Sequence, residues 1–393
     1  MNDFISTKKQ KAYDIVVIGG GIAGISAAVS SARLGNSVLL IEKQINLGGL
    51  ATTGLISWYE PLCDGSGKQI IGGIAEELIR LAVNCGFDNL PSNWGGKSKN
   101  KPRNDRFSTY YSPTFFSLEL DNFVLESGAE LLFDTYATYP VMDGNVCRGI
   151  ITENADGRSF YPAKVVIDCT GDASIFTRAG APTESANNYL TYIVHETDYE
   201  NTVAYTRSKD LCKLRRWKNC GSDYMGNGHP KGIPPLTGCT AKEINDYVIW
   251  GKKTMLQKYQ GTDPDSREIL SLPTMPQFRV IRRIIGEYTF TGEENGKEFY
   301  DNIGSVGDFR YRNKQYQVPY RCLYNKEYPN LLSAGRIVSA VGDGMEVLRV
   351  ILCCAVTGQG AGAAASIAVD TNRAVSEIDV ALLQKHLRKN QSV

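Results

Sequence analysis

The sequence lacks the features that would assign it at once to several common classes of protein. Its ten cysteines include no Cys-x-x-Cys pair, and its three histidines show no spacing that suits zinc, so we expect neither a metal site nor an iron-sulfur cluster. The net charge of +1 excludes the strong positive field that nucleic acid or an anionic membrane would require. No uninterrupted apolar run reaches the ~18 residues of a membrane span, and the first residues lack the apolar segment of a signal peptide. We therefore expect no nucleic-acid partner, no membrane partner and a cytoplasmic location.

A pattern of strand, glycine-rich turn, helix and strand occupies residues 14–43, DIVVIGGGIAGISAAVSSARLGNSVLLIEK. The short β-branched run before the glycines predicts a buried strand, and the Ala- and Ser-rich run after them predicts a helix that ends at Gly35. A second buried strand follows, from Ser37 to Ile41. The segment is therefore predicted to be a βαβ unit.

The glycines of this unit have the spacing of a dinucleotide-binding fingerprint, Gly19-x-Gly21-x-x-Gly24. In such a fingerprint the glycines allow a tight turn, close approach to a pyrophosphate at the helix N-terminus, and close packing of helix on strand. Glu42 ends the second strand, where a carboxylate accepts hydrogen bonds from ribose hydroxyls and repels a 2′-phosphate. NADP is disfavoured, whereas NAD and FAD both fit these residues.

Two later segments have the composition of further nucleotide contacts. In AKVVIDCTGDA, residues 163–173, a buried strand ends at a small turn containing Thr170 and Gly171. In residues 329–369, a strand ends at Gly335-Arg336, and a Gly342-Asp343 turn precedes a long helix of small residues that we expect to start near Leu348. The N-terminus of that helix would favour negative charge in the predicted site.

These segments, in this order, resemble the FAD-dependent oxidoreductases of the glutathione reductase structural class, a family distantly similar to fumarate reductase flavoproteins. The resemblance covers nearly the whole chain and includes NLGGLATTGL (46–55), GGIAEELI (72–79), VVIDCTGDASIFTRAGAP (165–182), RRIIGEYTFT (282–291), VPYRCL (318–323) and NLLSAGRIVSA (330–340). It implies FAD as the cofactor. By resemblance, the FAD contacts are expected at Gly19, Gly21, Gly24, Glu42, Lys43, Gly49, Thr52, Thr170, Gly171, Gly335, Arg336, Asp343, Leu348 and Arg349.

The expected fold class is α/β, with a Rossmann-like FAD-binding domain, a β-meander insertion and a mixed α/β substrate domain. With 393 residues the chain is long enough for about two domains. The FAD-binding domain is expected to be discontinuous and to comprise residues 1–70, 129–182 and 326–393; the substrate domain would comprise 71–128 and 183–325.

Local patterns refine this organisation. Residues 70–90 and 112–128 predict amphipathic helices, and the polar segment 91–108 between them predicts a surface loop or lid. Residues 129–170 predict the meander, with hairpin turns at Asp143-Gly144 and Asp156-Gly157.

The expected function is transfer of a hydride between a small organic substrate and non-covalently bound FAD. No second Gly-x-Gly-x-x-Gly occurs, so electrons are expected to pass to or from a separate carrier or oxygen. The segment Gly48–Ala51 has no histidine to which a flavin could be tethered. An electron-transfer flavoprotein, or a flavoprotein subunit without its own small-molecule substrate, is the alternative.

The candidates for catalysis come partly from the family motifs. Tyr320 and Arg321 in VPYRCL and Arg282 in RRIIGEY are placed by the resemblance near the flavin, where a proton donor or acceptor is needed. Pairing of Arg282 with Glu287 is a structural alternative. The imidazole of His195 is a further candidate base, although TYIVHETDY also predicts an ordinary strand in which that histidine is satisfied.

The nature of the substrate is open at this level. Eight arginines between residues 278 and 349 suit an anionic substrate, the FAD pyrophosphate, or ion pairs with glutamates. A group of aromatic residues could instead stack on a sugar or ring, or pack a domain junction: Trp58, Tyr59, Trp94, Tyr110 and Tyr111. The oligomeric state cannot be inferred from these residues.

Overall fold

The computed structural model describes residues 6–60, 62–97, 108–223 and 225–389. The polar segment predicted as a surface loop or lid, 91–108, therefore lies mostly outside the described residues. Its first part contains a single 3-10 turn, Ser92–Trp94.

The described residues form strands and helices in the following order along the chain. The strands are β1 Lys8–Lys9, β2 Tyr13–Ile18, β3 Val38–Ile41, β4 Trp58–Tyr59, β5 Thr109–Tyr110, β6 Glu130–Leu132, β7 Tyr136–Asp143, β8 Val146–Asn154, β9 Gly157–Asp168, β10 Thr183–Ser185, β11 Thr191–Asp198, β12 Arg216–Gly221, β13 Arg267–Ser271, β14 Arg282–Ile284, β15 Asn302–Gly307, β16 Gln315–Pro319 and β17 Leu331–Ser333. The helices are α1 Ile22–Arg33, α2 Ile74–Asn84, α3 Pro113–Glu126, α4 Ser174–Arg178, α5 Tyr199–Ser208, α6 Leu211–Leu214, α7 Ala241–Tyr259, α8 Gly342–Leu348, α9 Ile351–Thr371 and α10 Val380–Lys389.

A parallel sheet in the order β6–β3–β2–β9–β17 forms the centre of the fold. Val17 of β2 pairs with Leu40 of β3 on one side and with Ile167 of β9 on the other. Every residue of β3 and nearly every residue of β2 is buried, as expected for parallel strands whose two faces are both covered. The predicted βαβ unit and the α/β, Rossmann-like fold class are confirmed.

Strand β9 joins this sheet to the predicted meander. Its first part, Gly157 to Pro162, pairs antiparallel with β8, which in turn pairs antiparallel with β7. From Ala163 to Asp168 the same strand pairs parallel with β2. The meander and both of its hairpins are confirmed, and β9 holds the Thr170-Gly171 turn at the edge of the parallel sheet where β2 also ends.

Helices α1 and α9 pack against each other through small residues. A Cβ atom on Gly358 would lie 2.2 Å from the carbonyl oxygen of Ala23, and one on Gly362 would lie 2.4 Å from that of Ala27. Any side chain there would force the helices apart, which explains the small residues of α9. By length and composition α9 could cross a membrane, but the window that meets this criterion is completely buried in the protein.

The start of the long helix was predicted wrongly. Helix α9 begins at Ile351 rather than near Leu348, and the predicted Gly342-Asp343 turn is the first turn of the separate helix α8. The physical reason is Val350, whose extended backbone (φ −72°, ψ 159°) interrupts the helix between the two.

Helices α2 and α3 match the predicted amphipathic segments but are shorter. Leu78 of α2 and Phe116 of α3 are completely buried in the same core as α1 and α9. These helices thus cover the central sheet, although the sequence assigned 71–128 to the substrate domain. The domain boundaries stay a prediction.

The region between residues 183 and 325 builds small antiparallel sheets. Strand β11 lies between β12 and β13, and β15 pairs with β16. Helix α7 packs on β11 and β12 through Tyr247 and Met255, which are buried. Strand β14 pairs with β10, and Ile284 of β14 packs in the same core as Val16 and Val166 of the central sheet.

Candidate functional site

A cleft lies where β2, β3, β9 and β17 end, beside the N-termini of α1 and α9. Its free volume is about 740 Å³, which includes the solvent at its mouth. Ligands in open α/β folds bind at this edge, outside the carboxyl ends of the strands. Most of the predicted cofactor residues line the cleft: Gly19, Gly21, Glu42, Lys43, Gly49, Thr170, Gly171, Gly335, Arg336 and Arg349.

The three fingerprint glycines have different environments. A Cβ atom on Gly24 would lie 1.8 Å from the carbonyl oxygen of Gly19, so only glycine allows this contact between helix and turn. A Cβ atom on Gly21, by contrast, would meet no protein atom within 4 Å. Gly21 is the N-cap of α1, and its bare backbone faces the cleft, where a ligand can approach the helix N-terminus.

Glu42 supports the glycine turn from the end of β3. Its Oε2 accepts a hydrogen bond from the amide of Gly20 at 2.6 Å, and its Oε1 accepts one from the amide of Gln44 at 2.8 Å. Burial raises the pKa of this carboxyl above its ordinary value. The carboxylate oxygens have capacity for further donors, and Glu42 also lines an adjoining cavity of about 420 Å³.

Asp168, which the sequence analysis did not select, shapes the second nucleotide turn. Its Oδ1 accepts hydrogen bonds from the amide and hydroxyl of Thr170, and its Oδ2 accepts them from the amides of Ile175 and Phe176. Burial raises the pKa of Asp168 to about 6. An aspartate directly before a Thr-Gly turn was the available signal, because such carboxylates bind nearby backbone amides.

Arg336 is a cation without an acidic partner. One of its terminal nitrogens donates to the carbonyl oxygens of Phe278 and Arg279, and the side chain forms no ion pair among the described residues. Burial lowers the pKa of the guanidinium, yet arginine stays charged in proteins. Gly171, at φ +77°, leaves room for this side chain, because a Cβ atom there would lie 2.5 Å from the guanidinium. The cleft therefore holds a positive charge that has no ion pair among the described residues; the carboxylate of Asp172 attracts it only at longer range.

The N-terminus of α9 forms the opposite part of the wall. Arg349, Ile351 and Cys354 line the cleft, and Arg349 forms an ion pair with Glu346. The first turn of α9 contains no acidic residue, although the buried carboxyl of Glu60 accepts a hydrogen bond from the backbone amide of Ile351. The helix dipole favours negative charge at this end of the cleft.

Four predicted cofactor residues do not line the cleft. Gly24 lies behind the turn. The hydroxyl of Thr52 donates to the carbonyl oxygen of Leu47 inside its own loop, and the side chain of Leu348 is completely buried. Asp343 points away into an ion pair with Arg310, at 2.7 Å.

The structure does not bring the predicted catalytic residues of the VPYRCL motif to the cleft. The Tyr320 hydroxyl is buried and donates to the carbonyl oxygen of Val375 at 2.7 Å, and burial raises its pKa far above the ordinary value. Arg321 forms an ion pair with Asp301 at 2.9 Å. Both side chains are occupied by contacts with the surrounding protein.

Arg282 and His195 also lie elsewhere. Arg282 donates to the carbonyl oxygens of Asp172 and Cys239, not to Glu287, which pairs with Lys326; the alternative pairing was therefore wrong. His195 is completely buried in β11, and its Nε2 lies 3.2 Å from Ser57 Oγ. Burial lowers the pKa of His195 to about 4. A catalytic role for these four side chains stays a prediction that the geometry does not support.

Two of the five residues of the predicted aromatic wall belong to the interior, and a third packs on a neighbouring ring. Tyr59 and Tyr111 are completely buried, and their hydroxyls donate to the carbonyl oxygens of Ala75 and Ala51. The ring of Tyr110 packs edge-on against that of Trp217, with 6.0 Å between the ring centroids. These contacts correspond to the packing interpretation rather than to a stacking surface for a sugar.

Comparison with known proteins identifies the family. The sequence profile of the family described as FAD dependent oxidoreductase matches residues 14–192 and 218–387. A digeranylgeranylglycerophospholipid reductase of Methanoculleus marisnigri is 29% identical over 181 residues, 44% of this chain and 42% of that protein. An L-aspartate oxidase of Saccharolobus solfataricus is 28% identical over 190 residues, 43% of this chain and 39% of that protein.

These matches span less than half the length of either curated relative. In addition, the crystal structure of a geranylgeranyl bacteriochlorophyll reductase-like protein from Thermoplasma acidophilum superimposes with a TM-score of 0.52 at 15% identity. The superposition covers 98% of this chain and 83% of that one, and it shows the fold alone. Because the family profile covers most of the sequence, the chain belongs to the FAD-dependent oxidoreductases and is a flavoprotein enzyme that binds FAD.

Proposed function

We propose that this enzyme transfers a hydride between a small organic substrate and FAD, and that the FAD is held without a covalent bond in the cleft beside Arg336. The observation that carries this proposal is the guanidinium of Arg336, which has no ion pair among the described residues and lies where two helix N-termini and the glycine turn meet. Such a site fits the pyrophosphate of a dinucleotide.

The remaining cleft residues fit the other parts of the same cofactor. The open backbone at Gly21 leaves room for the pyrophosphate. Glu42, at the end of β3, can accept hydrogen bonds from ribose hydroxyls, and the adjoining cavity can take the adenine. When bound, FAD supplies the reversible acceptor for two electrons and a hydride. The protein contributes orientation, and the α9 N-terminus favours negative charge.

We also propose that a separate electron carrier or oxygen exchanges electrons with the FAD. The chain contains one dinucleotide fingerprint, and the residues that line the cofactor cleft suit a single bound dinucleotide. Electrons taken from a substrate would then leave to a carrier or to oxygen, or arrive from a carrier when a substrate is reduced. We also propose a cytoplasmic location and partners other than nucleic acid or membranes, in line with the small net charge.

The test is anaerobic reduction of the flavin in the purified holoenzyme. We expect one member of a panel of small organic metabolites to bleach the visible flavin absorption rapidly. If only a reduced protein donor bleaches it, the hydride-transfer proposal is wrong and the protein is an electron-transfer flavoprotein. A nicotinamide alone that reduces the flavin rapidly would contradict the proposed need for a separate carrier.

A further inference from the structure

A second cleft lies next to the cofactor cleft and has no role so far. Its free volume is about 790 Å³, which includes the solvent at its mouth. Three segments that are distant in the sequence form its walls: residues 184–189, the segment containing Arg279 and Arg283, and residues 340–346 at the start of α8.

The walls of the two clefts are joined by hydrogen bonds. Arg336 of the cofactor cleft donates to the carbonyl oxygen of Arg279, at 3.2 Å. On the other side, Arg349 of the cofactor cleft donates from Nε to Glu346 of the second cleft, at 3.1 Å. A molecule in the second cleft would therefore lie next to whatever occupies the first.

The acidic groups on the second cleft are already paired. Glu184 forms an ion pair with Arg283, and Glu346 forms one with Arg349. The charges of these four side chains cancel in pairs. The remaining charged residue that lines the cleft is Arg279.

Arg279 has no ion pair among the described residues. Its guanidinium donates to Thr191 Oγ1 at 2.9 Å and to the carbonyl oxygen of Ser222 at 3.2 Å, and both acceptors are neutral. A guanidinium has five N–H donors, so several stay available. Partial burial lowers its pKa, and the carboxylates of Glu346 and Asp223 act on it only through longer-range attraction. A desolvated cation in this position is stabilised by an anion from outside.

We propose that the second cleft is the substrate site and that Arg279 binds a carboxylate group of the substrate. A planar guanidinium fork matches the two oxygens of a carboxylate. The apolar residues of the cleft, Val280, Val341 and Met345, suit the carbon skeleton of a small organic acid. This inference rests on the proposed function, because it places the acid beside the proposed FAD site.

The test measures binding of acetate, the smallest stable probe of a carboxylate site that still carries a methyl group, with acetamide as its neutral counterpart. Binding is followed by isothermal titration calorimetry and, in the holoenzyme, by perturbation of the flavin spectrum. We expect saturable acetate binding and at least 10-fold weaker acetamide binding. Arg279→Gln should weaken acetate binding about 10-fold or more, since a charged hydrogen-bonded pair is lost.

Arg178→Gln is the matched control, because Arg178, like Arg279, donates only to neutral acceptors but lies on the surface outside both clefts. Its acetate affinity should equal that of the native protein.

Arg279→Lys keeps the positive charge but lacks the planar guanidinium. This variant should bind acetate at least 3-fold more weakly than the native protein, and it replaces Arg279→Gln in the test if Arg279→Gln does not fold. The proposal is overturned if native protein binds no acetate, if acetamide binds equally well, or if the folded Arg279 variant binds acetate like native protein. Failure of the proposed function is a separate result: a protein without FAD can still bind acetate in the calorimeter.

Discussion

Two regions of the molecule, the segment after β15 and the cofactor cleft, each contain an arginine that is shielded from water. The positive charge is balanced differently in the two regions. Arg310, with 8% of its side chain exposed, lies between the carboxylates of Asp308 and Asp343. Arg336 donates hydrogen bonds to the carbonyl oxygens of Phe278 and Arg279 and has no ion pair among the described residues. The charge of Arg310 is balanced by two acids of the protein itself, whereas the charge of Arg336 is, on the proposed function, balanced by the bound cofactor. The contrast separates a structural cation from a binding cation without reference to any relative.

The largest effect is expected when the internally balanced cation is removed. Arg310→Gln leaves Asp308, whose side chain is completely buried, without its partner, and we expect the free energy of unfolding to fall by about 3–5 kcal/mol. Chemical denaturation measures this loss. FAD bound per folded protein should stay near the native value, and loss of FAD at full stability would contradict the assignment of Arg310 to structure.

A second prediction concerns the glycines of the cofactor region. Gly24→Val should destabilise the protein by about 3 kcal/mol, because its side chain would overlap the Gly19 carbonyl. Gly21→Ala should change the melting temperature little, since its Cβ meets no protein atom, but should weaken FAD binding. Equal stability loss in both variants, or native FAD affinity in Gly21→Ala, would show that the Gly21 backbone does not face the cofactor.

Removal of the unmatched cation should affect the cofactor instead of the fold. Arg336→Gln is expected to weaken FAD about 10- to 100-fold, equivalent to about 1.5–3 kcal/mol, while the apoprotein keeps its stability. Fluorescence titration of apoprotein with FAD gives the affinity. If Arg336→Gln unfolds like Arg310→Gln and still binds FAD with native affinity, the contrast between the two arginines fails.

The smallest effect is expected from His195, which is kept neutral by burial. Its pKa is about 4 in the folded protein against 6.5 ordinarily, so the unfolded state binds more protons between these values. Stability should therefore fall as the pH drops through this window, by about 2 kcal/mol at pH 5. His195→Gln should remove this contribution.

The buried carboxyl of Glu60, with a pKa of about 7, changes stability with pH in the opposite direction. The measurement is therefore the difference in free energy of unfolding between the native protein and His195→Gln, obtained from denaturation curves at pH 7 and at pH 5. An unchanged difference would show that His195 binds a proton as readily in the folded state as in the unfolded state.

The parts of the site that lie close together in the sequence were predictable from it. Gly19, Gly21 and Glu42 belong to one βαβ unit, in which strand length, helix start and turn are all determined by neighbouring residues. Sequence patterns alone also located the meander, because its hairpins are marked by Asp-Gly turns. The boundary between α8 and α9 was missed, because no breaker residue marks the extended backbone at Val350.

The parts that depend on distant partners were not predictable. Asp343 was expected at the cofactor, but Arg310, 33 residues away in the sequence, binds it. Arg282 was weighed against Glu287 as a partner, yet it reaches carbonyl oxygens at Asp172 and Cys239. The cleft around Arg279 was missed because its walls come from three separate segments, and a run of arginines does not indicate which of them will lack an acid.

The most direct test of the central claim is the visible absorption spectrum of the purified protein before and after acid precipitation. We expect a flavin spectrum in the native protein and FAD in the supernatant after precipitation, because the cleft holds the cofactor without a covalent bond. Flavin that stays with the precipitate, or a colourless protein that takes up no added FAD, would contradict it.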